Sequence, residues 1–537
     1  MGNFVTAERD QLFLLPPDAR DWLPAGHLAW AMLEQAGRMD LAPFVAWYRA
    51  DGQGQKAYHP RLMVPLVMYC YCKGVRSSRA VEMATYDDVG ARVICGNHHP
   101  DHATVARFVS RHEQAVKGLL VASLVACARQ GLVSVDVVAG DGTKVKASAS
   151  MAANATAVQL EIEIGELEAL LAAEVDAWFA QARAAEAEDG LFGEDGGPGA
   201  GSGPGADGGP ATLARLAGKI VRRRKAKARL DEQAQARQEQ AAAGRADKLT
   251  RARERVARAE RAVEREEAAC QAKVDDYRRR AAEKAAAGSR KRPDGRIPVA
   301  PGDSAHVRRA RRDAEQARQV LAEAAAVPAG PEPGGPEPKA NTTDPASRVM
   351  PAKKGGFDQL HNVQVLAGAR QVIYAIGTHD NPNDTGALHP LLEQGRANLD
   401  AAGIRGRIGK ALFDAGYASD TNFTTPCEAD LYVAVTREAC QTGRDRQHKK
   451  RETMKASWQQ MAARLDTAEG KAIYRQRPAI IEPVFAQLFH RLGRHLNYRD
   501  TKTDLELHLW AASHNLLKAI RAQTRTPIPH RAPAPAT

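Results

Sequence analysis

The feature that most constrains this fold is a long block rich in Ala, Glu, Arg and Gln, residues 151–343, which interrupts a chain of otherwise mixed composition. Residues of these types favour helix, and the block holds almost no aromatic side chains with which to build a compact core. Two Gly/Pro-rich tracts, 190–210 and 327–338, cannot continue a helix. We therefore predict a helical, coiled-coil-like insertion with disordered linkers, whose helices cover 156–186, 211–286 and 304–326.

Charge divides this block into two parts of opposite sign. Residues 211–325 hold 31 Lys and Arg and 17 Asp and Glu, whereas 151–210 hold one Arg and twelve acids. The excess of 14 in the first of these ranges is larger than the net charge of +12 of the whole chain. We expect a solvated spacer whose two arms attract each other, with a dedicated DNA clamp as the alternative.

The remaining composition argues against secreted and membrane classes. Seven Cys, an odd number in a long chain, argue against a disulfide framework. The first residues lack a basic region followed by an apolar one, so no signal peptide is expected. The longest apolar runs, 62–72 and 119–128, fall short of the roughly 20 residues that span a bilayer. We expect a cytoplasmic protein, and a pI near 9.4 favours a polyanionic partner.

Periodicity predicts a mixed α/β fold. Apolar residues three and four apart indicate helices through most of residues 1–130. The β-branched run Val133–Val138 predicts a strand that ends in a turn at Ala139-Gly140-Asp141-Gly142. Beyond the insertion we predict strands over 361–366, 371–377, 410–413 and 431–435, a helix over 386–401, and helix from about 479 to 522.

These patterns give provisional domain boundaries. We predict a helical N-terminal domain over 1–130 and a catalytic domain in two pieces, 131–150 and 344–522. The insertion, 151–343, lies between these pieces, and a disordered tail covers 523–537.

Three acids occupy positions that suit metal-dependent phosphodiester chemistry. Asp141 follows the first strand, Asp414 ends the strand at 410–413, and Glu482 lies at the start of the C-terminal helix. Mg²⁺ prefers hard oxygen ligands and keeps several waters, so two or three carboxylates can hold a pair of ions. Asp136, placed mid-strand, and Asp384, which looks like a helix cap, are weaker candidates. Glu482 also has a structural interpretation, because Glu followed by Pro is typical of a helix N-terminus.

The order of several motifs resembles a known family, the insertion-sequence transposases of the DDE class. The resemblance is closest to the branch with a helical N-terminal domain and a helical insertion after the first catalytic strand. It rests on YHPRLMVPLVMYCYCKGVRSSRAVE (58–82), HHPDHATVARFVSRH (98–112), VVAGDGTKVKASAS (137–150), DPASRVM (344–350), HNVQV (361–365), THDNPNDTGAL (378–388), ALFDAGYAS (411–419) and Tyr474 with IEPVF (481–485).

The resemblance implies an RNase H-like catalytic fold in which Asp141, Asp414 and Glu482 bind Mg²⁺ or Mn²⁺, with two ions expected. It implies a DNA transposase of a bacterial insertion sequence, associated with the nucleoid, that hydrolyses a phosphodiester at the element's end and then transfers the strand. Its partners would be double-stranded terminal inverted repeats and target DNA, and it would act as a homodimer or larger synaptic complex. Tyr474 and Arg477 match a Tyr-x-x-Arg element that supports the DNA backbone.

One position departs from the family's pattern. A Lys usually stands seven residues after the glutamate, and this chain has Phe489 there. Arg491 and Arg494 are close enough in sequence to replace it, and the Arg-Gly that tends to follow is changed to Arg499-Asp500. Either one of these arginines makes the DNA contact of the usual Lys, or this copy of the protein has lost that contact.

Further cations are candidates for DNA contact. Arg107 and Arg111 lie four apart and share one helix face, as in a recognition helix, although such residues can simply be solvated. Lys144 follows Asp141 closely. The run Arg444, Arg446, His448, Lys449, Lys450, Arg451 is a stronger electrostatic candidate. Cys95, His98, His99 and His102 superficially resemble zinc spacing but lack a partner pair of ligands.

Two other functions remain open at this stage. One is a related RNase H-like nuclease, or an inactive or domesticated copy that binds DNA without joining it. The other is a basic coiled-coil DNA-binding scaffold in which the insertion carries the function, but this leaves the three acids unexplained. Terminal inverted repeats flanked by short direct repeats in the DNA around the gene would favour the transposase of a mobile element over both alternatives.

Overall fold

A computed structural model describes residues 19–48, 56–189, 209–287, 292–293, 296–326, 337–352, 355–435 and 455–525. The chain forms two compact units, one of Met1–Ala155 with Ala340–Thr537 and the other of Thr156–Lys339. No helix in these described ranges is both long and apolar enough to cross a membrane.

The first unit begins with short helices, as the sequence predicts. They are α1 (Leu28–Gly37), α2 (Ala42–Val45), α3 (Pro60–Cys72), α4 (Ser78–Asp87), α5 (Val89–Ile94), α6 (His102–Arg111), α7 (Glu113–Lys117) and α8 (Leu119–Arg129). The α3 helix is buried on every side from Met63 to Cys72, so Cys70 and Cys72 are core thiols.

The first strand differs from its prediction. It is β1 (Val137–Lys146), which continues through the predicted turn, so Asp141 lies inside a strand. The glycines serve close packing instead, because a Cβ on Gly140 would lie 2.1 Å from the Phe413 ring and one on Gly142 2.6 Å from Asp384 Oδ1. The prediction of Asp136 in mid-strand is also wrong, since it precedes β1.

The insertion lies between two short strands that pair with each other. In β2 (Asn154–Ala155), Ala155 stands opposite Ala340 of β3 (Ala340–Asn341). The helices between them are α9 (Ala157–Asp189), α10 (Pro210–Ala286) and α11 (Ala305–Ala326), which confirms the three predicted helices. The predicted linkers fall almost entirely outside the described residues, at 190–208 and 327–336.

Ion pairs join the insertion's helices along their exposed faces. Acids of α9 pair with cations of α10, as expected for arms of opposite charge, and acids of α10 pair with cations of α11 within the basic arm. The pairs are Arg223–Glu163, Arg224–Glu168, Lys227–Glu161, Arg311–Glu267 and Arg318–Glu260.

The remaining strands complete a mixed sheet around β1. The elements are β4 (Arg348–Pro351), β5 (Phe357–Gly368), β6 (Ile373–His379), α12 (Leu388–Ala401), β7 (Lys410–Phe413), α13 (Asp420–Thr424) and β8 (Asp430–Val433). The order is β4-β5-β1-β7-β8, and β6 pairs with β5. Pairing is antiparallel among β4, β5, β6 and β1, and parallel from β1 to β7 to β8. The predicted strands after the insertion and the predicted helix are confirmed, whereas β2, β3 and β4 were not predicted.

The C-terminal helices are α14 (Ala456–Asp466), α15 (Ala468–Tyr474), α16 (Gln476–Leu492) and α17 (Lys502–Arg525). The prediction of helix from about 479 to 522 is confirmed over most of that range, with a break at Gly493, whose φ of 75° favours glycine. The prediction that Glu482 starts its helix is wrong. Pro483 lies inside α16, and the carbonyl of Ala479 that it leaves without a helical donor accepts a hydrogen bond from Gln371 Nε2 at 3.1 Å.

The α17 helix packs against α3, α8 and β6, which joins the N-terminal helices to the sheet. It also includes residues 523–525 of the predicted disordered tail, and the remainder of that tail, 526–537, lies outside the described residues.

Candidate active site

Two of the predicted acids lie side by side because β1 and β7 are parallel neighbours. Ala139 stands opposite Leu412 in their register, and this register carried two residues further places Asp141 opposite Asp414. Asp414 follows β7 directly and caps a short 3₁₀ helix by accepting a hydrogen bond from Gly416 N at 2.9 Å. The sheet therefore places both carboxylates next to each other on neighbouring strands.

Arg477 lies between these two carboxylates. Its Nη2 is 3.2 Å from Asp141 Oδ2 and 3.9 Å from Asp414 Oδ2. The Arg477 side chain is 12% exposed, and its Nε is buried without a hydrogen-bond partner among the described residues. A single cation therefore occupies the point on which both acids converge.

Burial dominates the electrostatics of Asp141. It raises the pKa of this carboxyl to about 6, and repulsion from Asp414 and Asp384 acts in the same direction. Arg477 and the Gly142 N–H, which donates to Asp141 Oδ1 at 2.8 Å, oppose the shift only in part. An uncompensated negative charge at this point favours the binding of a further cation.

Tyr474 lies at the end of α15, three residues before Arg477. Its hydroxyl donates a hydrogen bond to the carbonyl of Phe413 at 3.2 Å, next to Asp414. Tyr474 thus contacts the last residue of β7, while Arg477 contacts Asp141 within β1.

The structure does not bring Glu482 to these acids. Its side chain is exposed on α16 and forms no hydrogen bond or ion pair with a described residue. On an ideal helix a separation of five residues turns a side chain by about 140° from Arg477. In the described part of the chain, no three His, Cys, Asp or Glu side chains are close enough to hold a metal ion together.

Asp384, a weaker candidate by sequence, lies near the paired acids, since its charge acts on the pKa of Asp141. Its Oδ1 accepts hydrogen bonds from Asn362 Nδ2 at 2.8 Å and Gln364 Nε2 at 2.7 Å. The prediction that it caps a helix is wrong, because the N-cap of α12 is Ala387. The available signal was the pair of amides Asn362 and Gln364 among the apolar residues of β5, since buried amides need a polar partner.

Lys144 is partly buried behind the acids. Its Nζ donates to the carbonyl of Pro382 at 2.6 Å, and burial lowers its pKa against the opposing effect of Asp384. In this arrangement Lys144 supports the loop that carries Asp384.

Arg107 and Arg111 are both exposed on α6, which confirms the helix that was predicted around them. They line one cavity of about 320 Å³ together with Lys56, Tyr48 and Tyr58. Cations and aromatic rings are the side chains that contact nucleic acid backbones and bases.

Arg491 and Arg494 have different surroundings. Arg494 is exposed, and its guanidinium carbon lies 4.2 Å from the centre of the Phe489 ring. Nε and Nη2 of Arg491 are buried without partners among the described residues, and burial lowers the pKa of this guanidinium. Arg494 therefore lies over Phe489, the position at which the family usually has a Lys.

The zinc-like residues have other partners. His99 Nδ1 lies 3.2 Å from Thr85 Oγ1, His102 Nδ1 lies 2.8 Å from Glu82 Oε2, and Cys95 is buried. The basic run at 444–451 lies outside the described residues.

Two family models match the chain. A transposase domain (DUF772) matches residues 17–111, and a transposase DDE domain matches residues 434–520. The second match includes Tyr474, Arg477 and Glu482, whereas Asp141 and Asp414 lie outside both. No curated protein and no solved structure matches the chain.

These matches lie in the N-terminal helices and in the C-terminal part of the same unit, on either side of the sheet strands that carry the paired acids. A DDE domain implies a catalytic transposase that binds DNA. The chain therefore belongs to the transposases, with a DUF772 transposase domain followed by a DDE transposase domain.

Proposed function

We propose that this transposase hydrolyses a phosphodiester at the end of its element and then joins the freed 3′-hydroxyl to target DNA, at a site built from Asp141, Asp414 and Glu482. The observation that carries the proposal is the contact of one guanidinium, that of Arg477, with the carboxylates of two parallel strands. Carboxylates that converge on a cation from separate strands form a site for positive charge.

The sheet supports an RNase H-like catalytic fold. The strands run β5, β1, β7, β8, with β4 and β6 both paired to β5, and the pairs are antiparallel from β4 and β6 to β1 and parallel from β1 to β8. Asp141 lies on the central strand and Asp414 at the end of its parallel neighbour, with the insertion after the first of them.

The donor set fits a hard divalent cation. Asp141 and Asp414 supply carboxylate oxygens, the ligands that Mg²⁺ and Mn²⁺ prefer, and Arg477 shows that a positive charge is accommodated between them. These two acids would hold the metal, with Glu482 as the third. When bound, two such ions supply electrostatic stabilisation of the attacking and leaving oxygens of the phosphodiester.

The chain's own residues account for DNA placement. Unscreened carboxylates repel a phosphate, so DNA enters only where cations offset them. Arg477, released from Asp141 and Asp414, is then placed to donate to a non-bridging phosphate oxygen. Glu482 reaches the site through a bend or turn of α16, which Pro483 makes easier because it removes one helical hydrogen bond.

The direct test compares cleavage with binding. Asp141→Asn, Asp414→Asn and Glu482→Gln should each lower Mg²⁺-dependent cleavage of a terminal-repeat duplex by about a thousandfold, since a loss of several kcal/mol of metal stabilisation is worth a factor of ten per 1.4 kcal/mol. Binding of the same duplex should remain. Asp136→Asn is the matched control, because this acid precedes β1 and bonds to Ser134. Wild-type cleavage by Asp141→Asn or Asp414→Asn would contradict the proposal.

A second test concerns the missing Lys. If Arg494 makes the phosphate contact, Arg494→Ala should weaken binding of pre-cleaved ends and lower the slope of log K against log [salt] by about 0.9. Arg491→Ala should leave the slope unchanged because Nε and Nη2 of its guanidinium are buried. A large gain in strand transfer by Phe489→Lys, with no effect of Arg494→Ala, would show instead that the contact has been lost.

Two ends must be held together for strand transfer, so the proposal includes a homodimer or a larger synaptic complex. Sedimentation of the protein with terminal-repeat DNA tests this, and a monomer bound to one end throughout the reaction would contradict it.

A further inference from the structure

The cavity that Arg107 and Arg111 line belongs to the N-terminal helices and shares no residue with the proposed metal site. Its volume is about 320 Å³, at the lower end of the range for small-molecule sites, about 300–1,000 Å³. Three segments form it: the chain that follows α2, the residues before α3, and α6. Its lining combines cations with aromatic rings, chiefly Lys56, Arg107, Arg111, Tyr48, Tyr58 and Phe108.

The cations of this cavity are not neutralised by acids. Lys56, Arg107 and Arg111 are exposed, and none of them forms an ion pair with an acid in the described part of the chain. Arg107 Nε donates to the carbonyl of Ala103 in its own helix at 3.3 Å. Asp101, at the start of α6, caps the helix by accepting from a backbone N–H at 2.6 Å. The positive charge therefore remains available to an anion that enters the cavity.

A buried imidazole adds an unused polar atom to the lining. His112 is 1% exposed, and its Nε2 lies 3.3 Å from the Tyr48 hydroxyl. Its Nδ1 is buried and has no hydrogen-bond partner among the residues that the structure describes. Four rings surround the imidazole, with centroids between 4.8 and 6.2 Å away, those of Phe44, Trp47, Tyr48 and Phe108. Because a buried polar atom normally has a partner, this one points to a ligand of the cavity.

The combination of side chains fits a nucleotide. Phosphate oxygens pair with Lys and Arg, a base stacks on a Tyr ring, and a polar atom of the base can meet the free Nδ1 of His112. Duplex DNA does not offer these groups together, because its bases are stacked on each other and hide their faces. A concave site with aromatic walls therefore favours an unpaired nucleotide over the major-groove contact of a recognition helix.

We propose that this cavity binds one unpaired nucleotide of DNA, with its phosphate at Lys56, Arg107 and Arg111 and its base against Tyr48 and Tyr58. The proposal goes beyond the proposed function, because none of the proposed metal ligands takes part in it. It gives the two arginines of α6 a role in holding a phosphate rather than in reading a groove. It also supplies a partner for the buried imidazole.

Two variants separate the phosphate contact from the base contact. Arg111→Gln removes a cation, whereas Tyr58→Leu removes an aromatic ring and keeps an apolar side chain. Tyr58→Phe restores the ring. Arg129→Gln is the matched control, because Arg129 is exposed in the last turn of α8 as Arg111 is in the last turn of α6.

The experiment measures binding of labelled single-stranded oligothymidylate to the full-length protein by fluorescence anisotropy at several salt concentrations. An abasic strand of the same length and a blunt duplex are the other probes. The native protein should bind oligothymidylate about fivefold or more tightly than the abasic strand. Tyr58→Leu should abolish this difference, whereas Arg111→Gln should lower the slope of log K against log [salt] by about 0.7. Tyr58→Phe and Arg129→Gln should match the native protein.

Equal affinity of the native protein for the two single strands would overturn the proposal, because no base would then be recognised. If Arg111→Gln weakened binding of the duplex alone, α6 would be a recognition helix and the proposal would also fail. Displacement of the strand by an equal concentration of thymidine monophosphate would replace DNA with a free nucleotide as the ligand and overturn it. If Tyr58→Leu lowers the melting temperature, the abasic strand and the Arg111→Gln slope still decide. Cleavage is not part of this readout, so the proposed function is tested separately.

Discussion

Two ion pairs of similar length show how differently the two units use charge. In the sheet unit, Arg76 and Glu506 are 2.9 Å apart with side chains 6% and 0% exposed. In the insertion, Arg311 and Glu267 are 2.6 Å apart with side chains 56% and 36% exposed. The distance is nearly the same, but water screens one pair and not the other. The buried pair therefore fixes the positions of its partners, whereas the exposed pair of the insertion remains open to solvent and salt.

The buried pair belongs to a larger network. Arg76 also donates to the carbonyl of His495 at 2.7 Å and lies over the Trp510 ring, while Glu506 accepts from the backbone N–H of Tyr498 at 2.9 Å. Each charged atom has several fixed partners. Removing one partner would leave a buried charge uncompensated, which strongly destabilises the folded protein.

The largest effect is therefore expected when one partner of this pair is removed. Arg76→Leu leaves Glu506 buried without its cation and should lower the free energy of unfolding by about 3–5 kcal/mol. Chemical denaturation measures the change. A loss below about 1 kcal/mol, the value of a surface pair, would remove the contrast between the two units.

A smaller effect of opposite sign is expected at Asp141. Because its pKa is raised to about 6, the folded protein holds this proton more tightly than the unfolded chain does, so the free energy of unfolding falls as pH rises from about 4 to about 6. Asp141→Asn removes this penalty. In metal-free protein it should increase the free energy of unfolding by about 1–3 kcal/mol at pH 7.5, and by nearly nothing at pH 4.

The pH dependence distinguishes this effect from a simple packing change. A difference between Asp141→Asn and the native protein that stayed constant from pH 4 to pH 8 would show that burial does not control this carboxyl.

The smallest effect is expected in the insertion. A double-mutant cycle on Arg311 and Glu267 should give a coupling of about 0.2–1 kcal/mol that vanishes near 1 M salt, where the screening length is about 3 Å. Calorimetric or denaturant unfolding at two salt concentrations measures it. A coupling of several kcal/mol that survives salt would mean that the insertion is held together as tightly as the sheet unit.

Much of the fold of both units could be predicted from the sequence, because their helices and strands follow local patterns of residues. Alternating and helical periodicities predicted β5, β6 and α12, and the Ala/Arg/Glu block predicted the three insertion helices. Asp414 was found because it directly follows a short apolar strand. Each of these signals lies within a few residues of the element that it predicts.

The errors arise where a local signal has two meanings that only distant residues distinguish. Gly140 and Gly142 look like a turn, but their neighbours are Phe413 and Asp384, far along the chain. Asp384 looks like a cap because it shortly precedes a helix, whereas its hydrogen-bond donors, Asn362 and Gln364, lie on β5. Glu482 and Pro483 look like a helix start because Pro is tolerated both there and, when a carbonyl finds another donor, inside a helix.

If the sheet unit carries the chemistry, as we propose, the insertion is dispensable for cleavage. Because Ala155 and Ala340 are paired, residues 156–339 can be replaced by an Asn-Gly turn that closes β2 and β3 as a hairpin. Single-turnover cleavage of terminal-repeat DNA by this variant at saturating DNA tests this. We expect a rate within about tenfold of the full chain, a weaker salt dependence of binding, and loss of cleavage when Asp141→Asn is added. A folded variant that binds the DNA but fails to cleave it would show instead that the insertion takes part in the chemistry.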